Sequence, residues 1–443
     1  MIKKMKLLTC FFAMVMMNTM YAQPLLSLKE AIATTLQNNF DIRLLRNDSA
    51  VYALNNSFAK SAFLPRLNAN TGILFNQNNQ RQKLADGTKR EANNIRSHNI
   101  NSSVNLNWLV FDGFKMFITK DKLQEYVTLG NLALKNQVQT SIAQVINIYY
   151  GIVREKQQLK AIEEQMSLNV ERMKQAEKKL SVGLGAKPEL LQANLDLNAQ
   201  KANRLKQLAL IDQVKEQLNQ LMALPAGTLY EVYDTIPINR NIKMGEILST
   251  AGCNNTDLLL SAQNKRIAEL TLKEKKADRY PTVSLQSAYN FSRTNNQSVI
   301  NSFTPLLNQN FGFNYGATVT IPIFNNNNVK RQIKEAALDV NYQQLVYDYK
   351  KSNLQTAIYI AFKNYQVQME TLDLEEENIK LAKENVYVSM ERNRLGITNI
   401  LELRESQKSL EDAYNRLIAA RYATKQAETE LLRINGQLLP EIE

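Results

Sequence analysis

Two stretches of this chain decide its fold, VGLGAKPEL at positions 182–190 and LGITNILEL at positions 395–403. They lie 395 − 182 = 213 residues apart, and each has glycine in second place and Glu-Leu at its end. The same offset relates two more pairs, Phe111 with Phe324 and Leu218 with Leu431. Solenoid repeats are only about 20–50 residues long. The offset therefore predicts two copies of one large unit, residues 23–224 and 256–443.

The composition predicts long, uninterrupted elements. The 443 residues include only 14 glycines and 9 prolines, the strongest breakers of regular structure. The stretch 225–255 between the copies is the least regular and is expected to be a linker. The net charge is +12, but the charges are spread along the helical segments, which fits solvated helix faces better than a nucleic-acid partner.

The N-terminal residues 1–22 have the pattern of a secretory signal. Lys3, Lys4 and Lys6 precede an apolar run at 7–17, and a small residue, Ala22, ends the segment. The run is too short to span a membrane, and the residues before Cys10 do not fit a lipid-anchor signal. Removal of this segment would change the charge to 12 − 3 = +9 and leave one cysteine, too few for an intramolecular disulfide.

Four segments alternate apolar and polar residues, at about 66–76, 99–111, 281–292 and 311–323. Period two predicts a sheet with one apolar and one polar face. A soluble sandwich would show the same period. Strands of about ten residues, aromatic residues towards their ends and a face of small polar residues favour a membrane β-barrel.

The sequence predicts that the strands of each copy are joined by polar loops, 77–98 and 292–310, and that His98, the only histidine, is solvated. Four strands are too few to close a membrane barrel, which needs about eight or more. We therefore expect several copies of the chain to share one barrel, and two, three or four copies all remain possible from these residues.

Long helices are expected at about 113–182, 188–224, 326–395 and 400–435. At about 1.5 Å per residue, the first could reach roughly 100 Å. A seven-residue spacing predicts helices packed as a coiled coil, with an ordinary amphipathic bundle as the alternative. That spacing is carried by Leu190, Leu197, Ile211 and Leu218, and by Leu403, Leu410, Leu417 and Leu431. Shorter helices, 40–63 and 256–280, precede the first strand of each copy, and Ser27 to Glu30 form a capping box.

These pieces together resemble the TolC family of outer-membrane efflux and secretion channels, over almost all of the chain after residue 22. The matching motifs are Ala62-Phe63-Leu64-Pro65, Leu109-Val110-Phe111-Asp112-Gly113 and the two hairpin tips. The resemblance implies a mainly α-helical protein with a membrane β-barrel portion. Each chain would supply two repeats of a strand pair and a long coiled-coil hairpin. Three chains would form a channel-tunnel of twelve strands, located in the outer membrane with its helices in the periplasm.

The resemblance also implies partners. Family members dock the tips of their hairpins onto a periplasmic adaptor, which connects them to an inner-membrane pump of RND or ABC type. Outer-membrane lipid would surround the strands. The residues of this chain that match those tips are Val182, Gly183, Leu184 and Ala186 in the first copy, and Leu395, Gly396, Ile397 and Thr398 in the second.

Carboxylates near the second tip are candidates for a pore constriction. In the best-known channel of the family, acidic residues follow this tip on the pore side, and the matching residues here are Glu402 and Glu405. Their spacing of three places them on one helical face, and copies of a chain would repeat them as a ring that favours cations. Glu189 is the equivalent residue of the first copy. An exposed helix carboxylate is the alternative for all three, and is favoured for Glu189.

The functional expectation is a passive duct for drug or toxic-compound efflux, with type I protein secretion as the alternative. A periplasmic coiled-coil adaptor is a remoter alternative, because an adaptor would be expected to have one helical hairpin flanked by small β-domains. No catalytic, cofactor-binding or metal-binding residues are expected. The chain has one histidine and neither a phosphate-binding glycine loop nor paired metal-ligand spacing.

Overall fold

The structure is a computed structural model that describes residues 24–183, 185–395, 397 and 400–438. The expected signal segment, 1–22, lies outside the described residues, as do three of the expected tip residues, Leu184, Gly396 and Thr398.

The helices of the described residues follow the chain in this order: α1 Leu28–Asn38, α2 Phe40–Ser57, α3 Lys115–Ser181, α4 Lys187–Leu221, α5 Met244–Asn254, α6 Thr256–Ala277, α7 Asn328–Arg394 and α8 Ile400–Asn435. A 3₁₀ helix, Ala59–Phe63, follows α2. The strands are β1 Leu25–Leu26, β2 Arg66–Lys83, β3 Lys89–Phe111, β4 Glu231–Val232, β5 Thr282–Asn296 and β6 Leu307–Thr320. None of the described helices contains a stretch long and apolar enough to cross a lipid bilayer.

The chain forms two compact units, and each combines equivalent parts of the two repeats. The helical unit takes the described residues of Met1–Asn47, Asn131–Leu260 and Asp348–Glu443, and the sheet unit takes Asp48–Gly130 and Ser261–Tyr347. The two segments of the sheet unit begin 261 − 48 = 213 residues apart, which is the offset of the sequence repeat. The two segments of the sheet unit are therefore spaced by the same offset as the repeated sequence motifs.

The sheet unit contains one antiparallel sheet with strand order β2-β3-β5-β6. Each repeat supplies a hairpin, and the hairpins join where β3 pairs with β5, for example Leu106 with Ser287. Strand β2 is one edge of the sheet and β6 is the other.

The register confirms the alternation that the sequence predicts. Residues directly opposite in an antiparallel pair share a face, and the pairs place the apolar residues of all four strands on one side. That apolar face consists of Leu67, Ile73, Phe75, Ile100, Val104, Leu106, Trp108, Leu285, Tyr289, Phe291, Phe311, Phe313, Tyr315 and Val319. The opposite face is mostly Asn, Ser, Gln, Thr and Gly.

The first polar loop is much shorter than predicted. Within this range, residues 77–83 of β2 pair with residues 89–96 of β3, and the last pair is Lys83 with Lys89. The connection that remains has five residues, 84–88. The polar side chains of 77–98 suggested a loop, but strand pairing uses backbone groups and does not require apolar residues. Gly87 has φ +84°, and the backbone N–H of Thr88 donates to Asp86 Oδ1 at 2.9 Å, which are features of a tight turn. The second loop is also shorter, at 297–306.

The helical unit is built from heptad contacts. On α8, the repeated positions Leu403, Leu410, Leu417 and Leu431 are buried, as are Leu197, Ile211 and Leu218 on α4. The facing stripe of α7 is Ile358, Tyr365, Leu372, Ile379 and Val386, all buried at a spacing of seven. This spacing is that of helices packed side by side as a coiled coil.

Helix α4 ends at Leu221, three residues before the expected end. Ala223 has φ +51°, which is left-handed backbone, and Pro225 follows with no N–H to donate. Before α1, the predicted capping box is present, since Ser27 N donates to Glu30 Oε2 at 2.8 Å and Glu30 N donates to Ser27 Oγ at 3.2 Å.

The expected linker, 225–255, contains ordered structure. Strand β4 pairs in parallel with β1, and α5 packs against α8. Glu231 of β4 binds two lysines, Lys215 of α4 at 2.8 Å and Lys156 of α3 at 2.9 Å. These contacts join the segment to the helices of the helical unit.

Candidate functional site

The first hairpin connection presents small and apolar residues to solvent. Val182 is exposed, and Gly183 has φ +77° with open space around the position of a Cβ. A left-handed backbone explains the glycine, because other residues adopt it at a cost. Ala186 is exposed and precedes α4, whose first turn contains Pro188.

The second connection is similar in its described residues. Leu395 and Ile397 are both exposed. Their N–H groups donate to carbonyl oxygens of the last turn of α7, Leu395 to Glu391 at 3.0 Å and Ile397 to Arg392 at 2.9 Å. The two connections therefore expose apolar side chains at equivalent positions of the repeat.

The three candidate carboxylates have different surroundings. Glu402 forms an ion pair with Arg392, with Nη1 to Oε1 at 3.1 Å. Glu405 lies one turn further along α8, is exposed, and has no hydrogen-bond or ion-pair partner among the described residues. Glu189 is half-buried and borders a cavity of about 270 Å³. Glu402 and Glu405 thus share a helix surface, and Glu189 belongs to a different environment. Their role in a pore stays a prediction.

The cavity beside Glu189 is bordered by two arginines that the sequence did not single out, Arg172 of α3 and Arg404 of α8. Arg172 is 6% exposed. Its guanidinium donates to the carboxylate of Asp196 on α4 and, at 3.1 Å, to Gln407 Oε1 on α8. Arg404 Nε lies 3.6 Å from the same carboxylate of Asp196. This arginine-aspartate cluster connects the first hairpin to α8 close to the hairpin ends.

The sequence contains a pattern that indicates burial of Arg172. It continues a buried stripe of α3 at spacings of three and four, the spacing of one helix face. The stripe is Ile162, Gln165, Asn169, Arg172 and Ala176. A charged residue in such a stripe needs a buried partner, but helical spacing alone does not identify Asp196 as that partner.

Helix α7 has a second apolar stripe, which is exposed. Its members, which we call the outer stripe, are Ile360, Val367, Leu374, Leu381 and Val388. Each lies two residues after a buried member of the facing stripe, or about 200° further around the helix. One face of α7 therefore packs against α8, and the opposite face exposes apolar side chains at a heptad spacing.

Comparison of the two repeats shows that no described helix of the same chain covers the outer stripe. Subtracting 213 from Leu374 gives Ala161 of α3, and subtracting 213 from Ile418 of α8 gives Leu205 of α4. Ala161 and Ile418 are both 6% exposed and border one cavity of about 330 Å³. Their equivalents are open, Leu374 at 62% and Leu205 at 67% exposed. The first repeat's α3 face is thus covered by the second repeat's α8, whereas the equivalent faces of α7 and α4 are bare in a single chain.

Contacts of Tyr422 show how α3 and α8 pack against each other. The guanidinium of Arg154 on α3 lies over the Tyr422 ring of α8, 4.6 Å from its centroid. Tyr422 Oη donates to the carbonyl of Asn147 at 3.2 Å. Burial raises the pKa of the Tyr422 hydroxyl above its ordinary value.

Comparisons with known proteins give a consistent result. A family model described as "Outer membrane efflux protein" matches residues 31–225 and 247–437. Outer membrane protein TolC of Salmonella enteritidis is 20% identical over 341 residues, which cover 75% of this chain and 68% of that protein. Outer membrane efflux protein BepC of Brucella suis biovar 1 is 19% identical over 417 residues, covering 93% of this chain and 86% of BepC.

A solved structure of CusC, described in terms of folding and transmembrane channel formation, has a similar fold. Its TM-score is 0.77 at 15% sequence identity, and the match covers 95% of this chain and 94% of that chain. At this identity the likeness concerns the fold.

Proposed function

The chain belongs to the outer membrane efflux protein family, and on that premise we propose that its copies assemble into a passive duct. In this proposal the sheet units form the outer-membrane part of the duct, and the helical units form its periplasmic part. An inner-membrane pump, reached through a periplasmic adaptor, exports small molecules through it. The chain itself performs no catalysis.

The observation that carries this proposal is the pair of bare faces in the helical unit. The outer stripe of α7 and the exposed face of α4 are the repeat equivalents of two surfaces that cover each other within the chain. The same contact can therefore form between α7 of one copy and α4 of the next. Such a head-to-tail contact continues from chain to chain, and it ends only when the copies close a ring.

Burial of the outer stripe between neighbouring chains would stabilise this assembly. Five large apolar side chains of the outer stripe are about half or more exposed in the single chain. Apolar surface removed from water contributes about 25 cal/mol per Å². An exposed apolar stripe of this length is unusual for a monomer and is typical of a surface that packs against another chain. We take the number of copies to be three, as in the family that the sequence resembles.

The sheet unit supports the same assembly. In the described residues, β2 and β6 each have one edge without a neighbouring strand. Unpaired backbone groups at a sheet edge favour pairing with another strand. Edge pairing between three copies of this sheet would give a closed barrel of twelve strands.

The two faces of the sheet fit the two sides of such a barrel. The apolar residues of β2 run from Leu67 to Phe75, and Phe75 is 79% exposed. Nine residues extend roughly 30 Å along a strand, and a tilted strand of this length covers most of the roughly 25 Å apolar band of membrane barrels. The opposite face of asparagine, serine and glycine would line a water-filled lumen without strong selectivity.

The exposed hairpin connections are the proposed docking surface for the adaptor. Val182, Leu395 and Ile397 expose apolar side chains that a partner could cover. Glu402 and Glu405, on the exposed surface of α8 beside the second connection, are the proposed pore-lining carboxylates.

Cross-linking in cells tests the docking surface. Cysteine at Val182 or Leu395 avoids the strain that cysteine would cause at Gly183, where φ is +77°. Both would be introduced in a Cys253→Ser background and trapped with a bifunctional maleimide, with the partner identified by mass spectrometry. Capture of a periplasmic adaptor at both positions, but not at exposed Lys243→Cys, is expected. Capture of no partner from protein correctly placed in the outer membrane would contradict docking at the tips.

A further inference from the structure

The positive charge of the sheet is concentrated at one end. Apart from Arg66, the charged basic residues of the four long strands lie near the β2–β3 and β5–β6 connections. They are Arg81, Lys83, Lys89, Arg90, Arg96 and Arg293. The same strands contain a single carboxylate, Glu91. This end of the sheet therefore presents an excess of cations.

The register places part of this charge on the apolar face. Phe75, the last apolar residue of that face on β2, lies directly opposite His98, and the next residue on the same side, Gln77, lies opposite Arg96. On β5, Arg293 lies opposite Ile100 and shares the same face. The apolar face thus changes within one or two residues into a band with Arg96, His98 and Arg293.

A cavity of about 240 Å³ lies at this boundary. It is bordered by Arg96, His98, Gln77, Phe75 and Gln297, among others. The Phe75 and His98 rings have centroids 6.1 Å apart, and the backbone N–H of Gln297 donates to the Arg96 carbonyl at 2.9 Å. Backbone pairing fixes the position of Arg96, while its exposed side chain has no acidic partner among the described residues.

A pair of opposed lysines at this end of the sheet also favours the binding of an anion. Lys83 and Lys89 are directly opposite at the last pair before the turn. Like charges directly opposite on paired strands destabilise the sheet. Neither lysine has an acidic partner among the residues that the structure describes. A bound anion would relieve this repulsion.

We propose that this end of the apolar face binds the phosphate groups of anionic lipid headgroups, with Arg96 and His98 as the central contacts. The inference rests on the proposed function, in which the apolar face contacts lipid. Phosphate binds arginine through two parallel hydrogen bonds, and the imidazole can donate a further one. The acyl chains of the same lipid would lie along Phe75, Ile73 and their neighbours.

This geometry favours a lipid over a free phosphate ion. The cations lie at the edge of an apolar face, so a ligand with both a phosphate and a long apolar tail contacts both surfaces at once. A free ion would contact only exposed cationic side chains in water, where such interactions are weak.

Native mass spectrometry of the detergent-purified assembly can measure the binding. The probes would be lipid A and the same lipid after enzymatic removal of its phosphates, so that only the phosphate differs. Wild type is expected to bind the phosphorylated form more tightly. Arg96→Gln should weaken binding of the phosphorylated form by roughly tenfold and leave the dephosphorylated form unchanged. The matched control, Arg66→Gln, removes a cation from the other end of the sheet and should bind both forms like wild type.

Three results would overturn the inference. The first is a wild-type protein that binds the phosphorylated and dephosphorylated lipids equally, a measurement that does not depend on the folding of any variant. The second is an Arg96→Gln variant that keeps the preference for the phosphorylated lipid, and the third is an Arg96→Gln variant that loses binding of both lipids equally. Recovery of wild type in the outer-membrane fraction separates these outcomes from failure of the proposed function, which would leave the protein in the aqueous fraction.

Discussion

Asp196 of α4 accepts a hydrogen bond from the buried guanidinium of Arg172 of α3, and its carboxylate also lies 3.6 Å from Arg404 of α8. One carboxylate therefore connects three helices near the hairpin ends. Removal of one partner from a buried ion pair leaves the other charge uncompensated, which is more damaging than loss of an exposed pair.

The first prediction concerns this carboxylate. Asp196→Asn should lower the free energy of unfolding by about 2–3 kcal/mol, because Arg172 would remain buried without a counter-charge. Urea unfolding followed by circular dichroism measures the change. The control, Glu246→Gln, removes a carboxylate whose contact with Lys243 is exposed, and should change stability by less than about 0.5 kcal/mol. Equal stability of the two variants would show that Asp196 does not compensate Arg172.

The candidate pore carboxylates should differ in effect. Glu405 has no intrachain partner among the described residues, so Glu405→Gln should reduce the preference for cations in single-channel recordings. Glu402→Gln also frees Arg392, 3.1 Å away, and should reduce this preference further.

Glu411→Gln is the control for these recordings. Glu411 lies half a turn around α8 from Glu402 and accepts a hydrogen bond from Gln200 at 3.4 Å. Its substitution should leave ion selectivity unchanged. If Glu402→Gln and Glu405→Gln also leave conductance and selectivity unchanged, these carboxylates do not line the pore.

Adjacent residues of β3 test the two faces of the sheet. Val104 belongs to the middle of the apolar face, opposite Ala69 and Tyr289, and Ser103 belongs to the polar face. Val104→Arg should lower outer-membrane insertion strongly, because a charge facing the bilayer interior costs roughly 2–4 kcal/mol. Ser103→Arg, at nearly the same depth, should insert like wild type. Heat-modifiable migration and membrane fractionation report the outcome, and equal insertion of both variants would argue against lipid on the apolar face.

The ordered linker gives a prediction of pH dependence. Burial raises the pKa of Glu231, but the ion pairs with Lys215 and Lys156 outweigh it and hold the pKa below the ordinary 4.5. A carboxylate with a lowered pKa stabilises the folded state above pH 4.5, and this contribution disappears as the pH falls through the folded-state pKa. Glu231→Gln should therefore be less stable than wild type at pH 7.

The difference in urea midpoint between Glu231→Gln and wild type should shrink below pH 4.5. Exposed Glu335, which pairs with Arg331 at 2.6 Å, supplies the control substitution Glu335→Gln. A stability difference for Glu231→Gln that stays constant from pH 7 to pH 3 would contradict a role for the ionised carboxylate.

Much of the fold could be predicted because the repeat and the two periodicities are local signals. The alternation around Phe75 and the heptads through Leu410 appear in the structure as a sheet face and a helix interface. The pairing of β3 with β5 was not predicted, since alternation gives faces without giving neighbours. The paired parts of β2 and β3 within 77–98 were not predicted either, because their side chains are polar and backbone hydrogen bonding does not depend on side-chain polarity.

The candidate site was less predictable for a related reason. The sequence identified the exposed residues Val182 and Leu395 through their repeat positions, but not the buried Arg172, whose partner Asp196 lies on another helix. The outer stripe through Leu374 was missed as well. Spacing shows that a helix face is apolar, whereas only the folded chain shows whether another element covers it.

The most direct test of the assembly is a bifunctional maleimide cross-link between Leu205→Cys and Leu374→Cys in a Cys253→Ser background. Their repeat equivalents, Ile418 and Ala161, border one cavity within the chain. The pair Ala161→Cys with Ile418→Cys is therefore the control, and should cross-link within one chain without forming a larger species. The Leu205–Leu374 pair should instead link neighbouring chains into a species of three copies under denaturing electrophoresis. If the control pair cross-links while the Leu205–Leu374 pair remains a single chain, the proposed ring does not form through these faces.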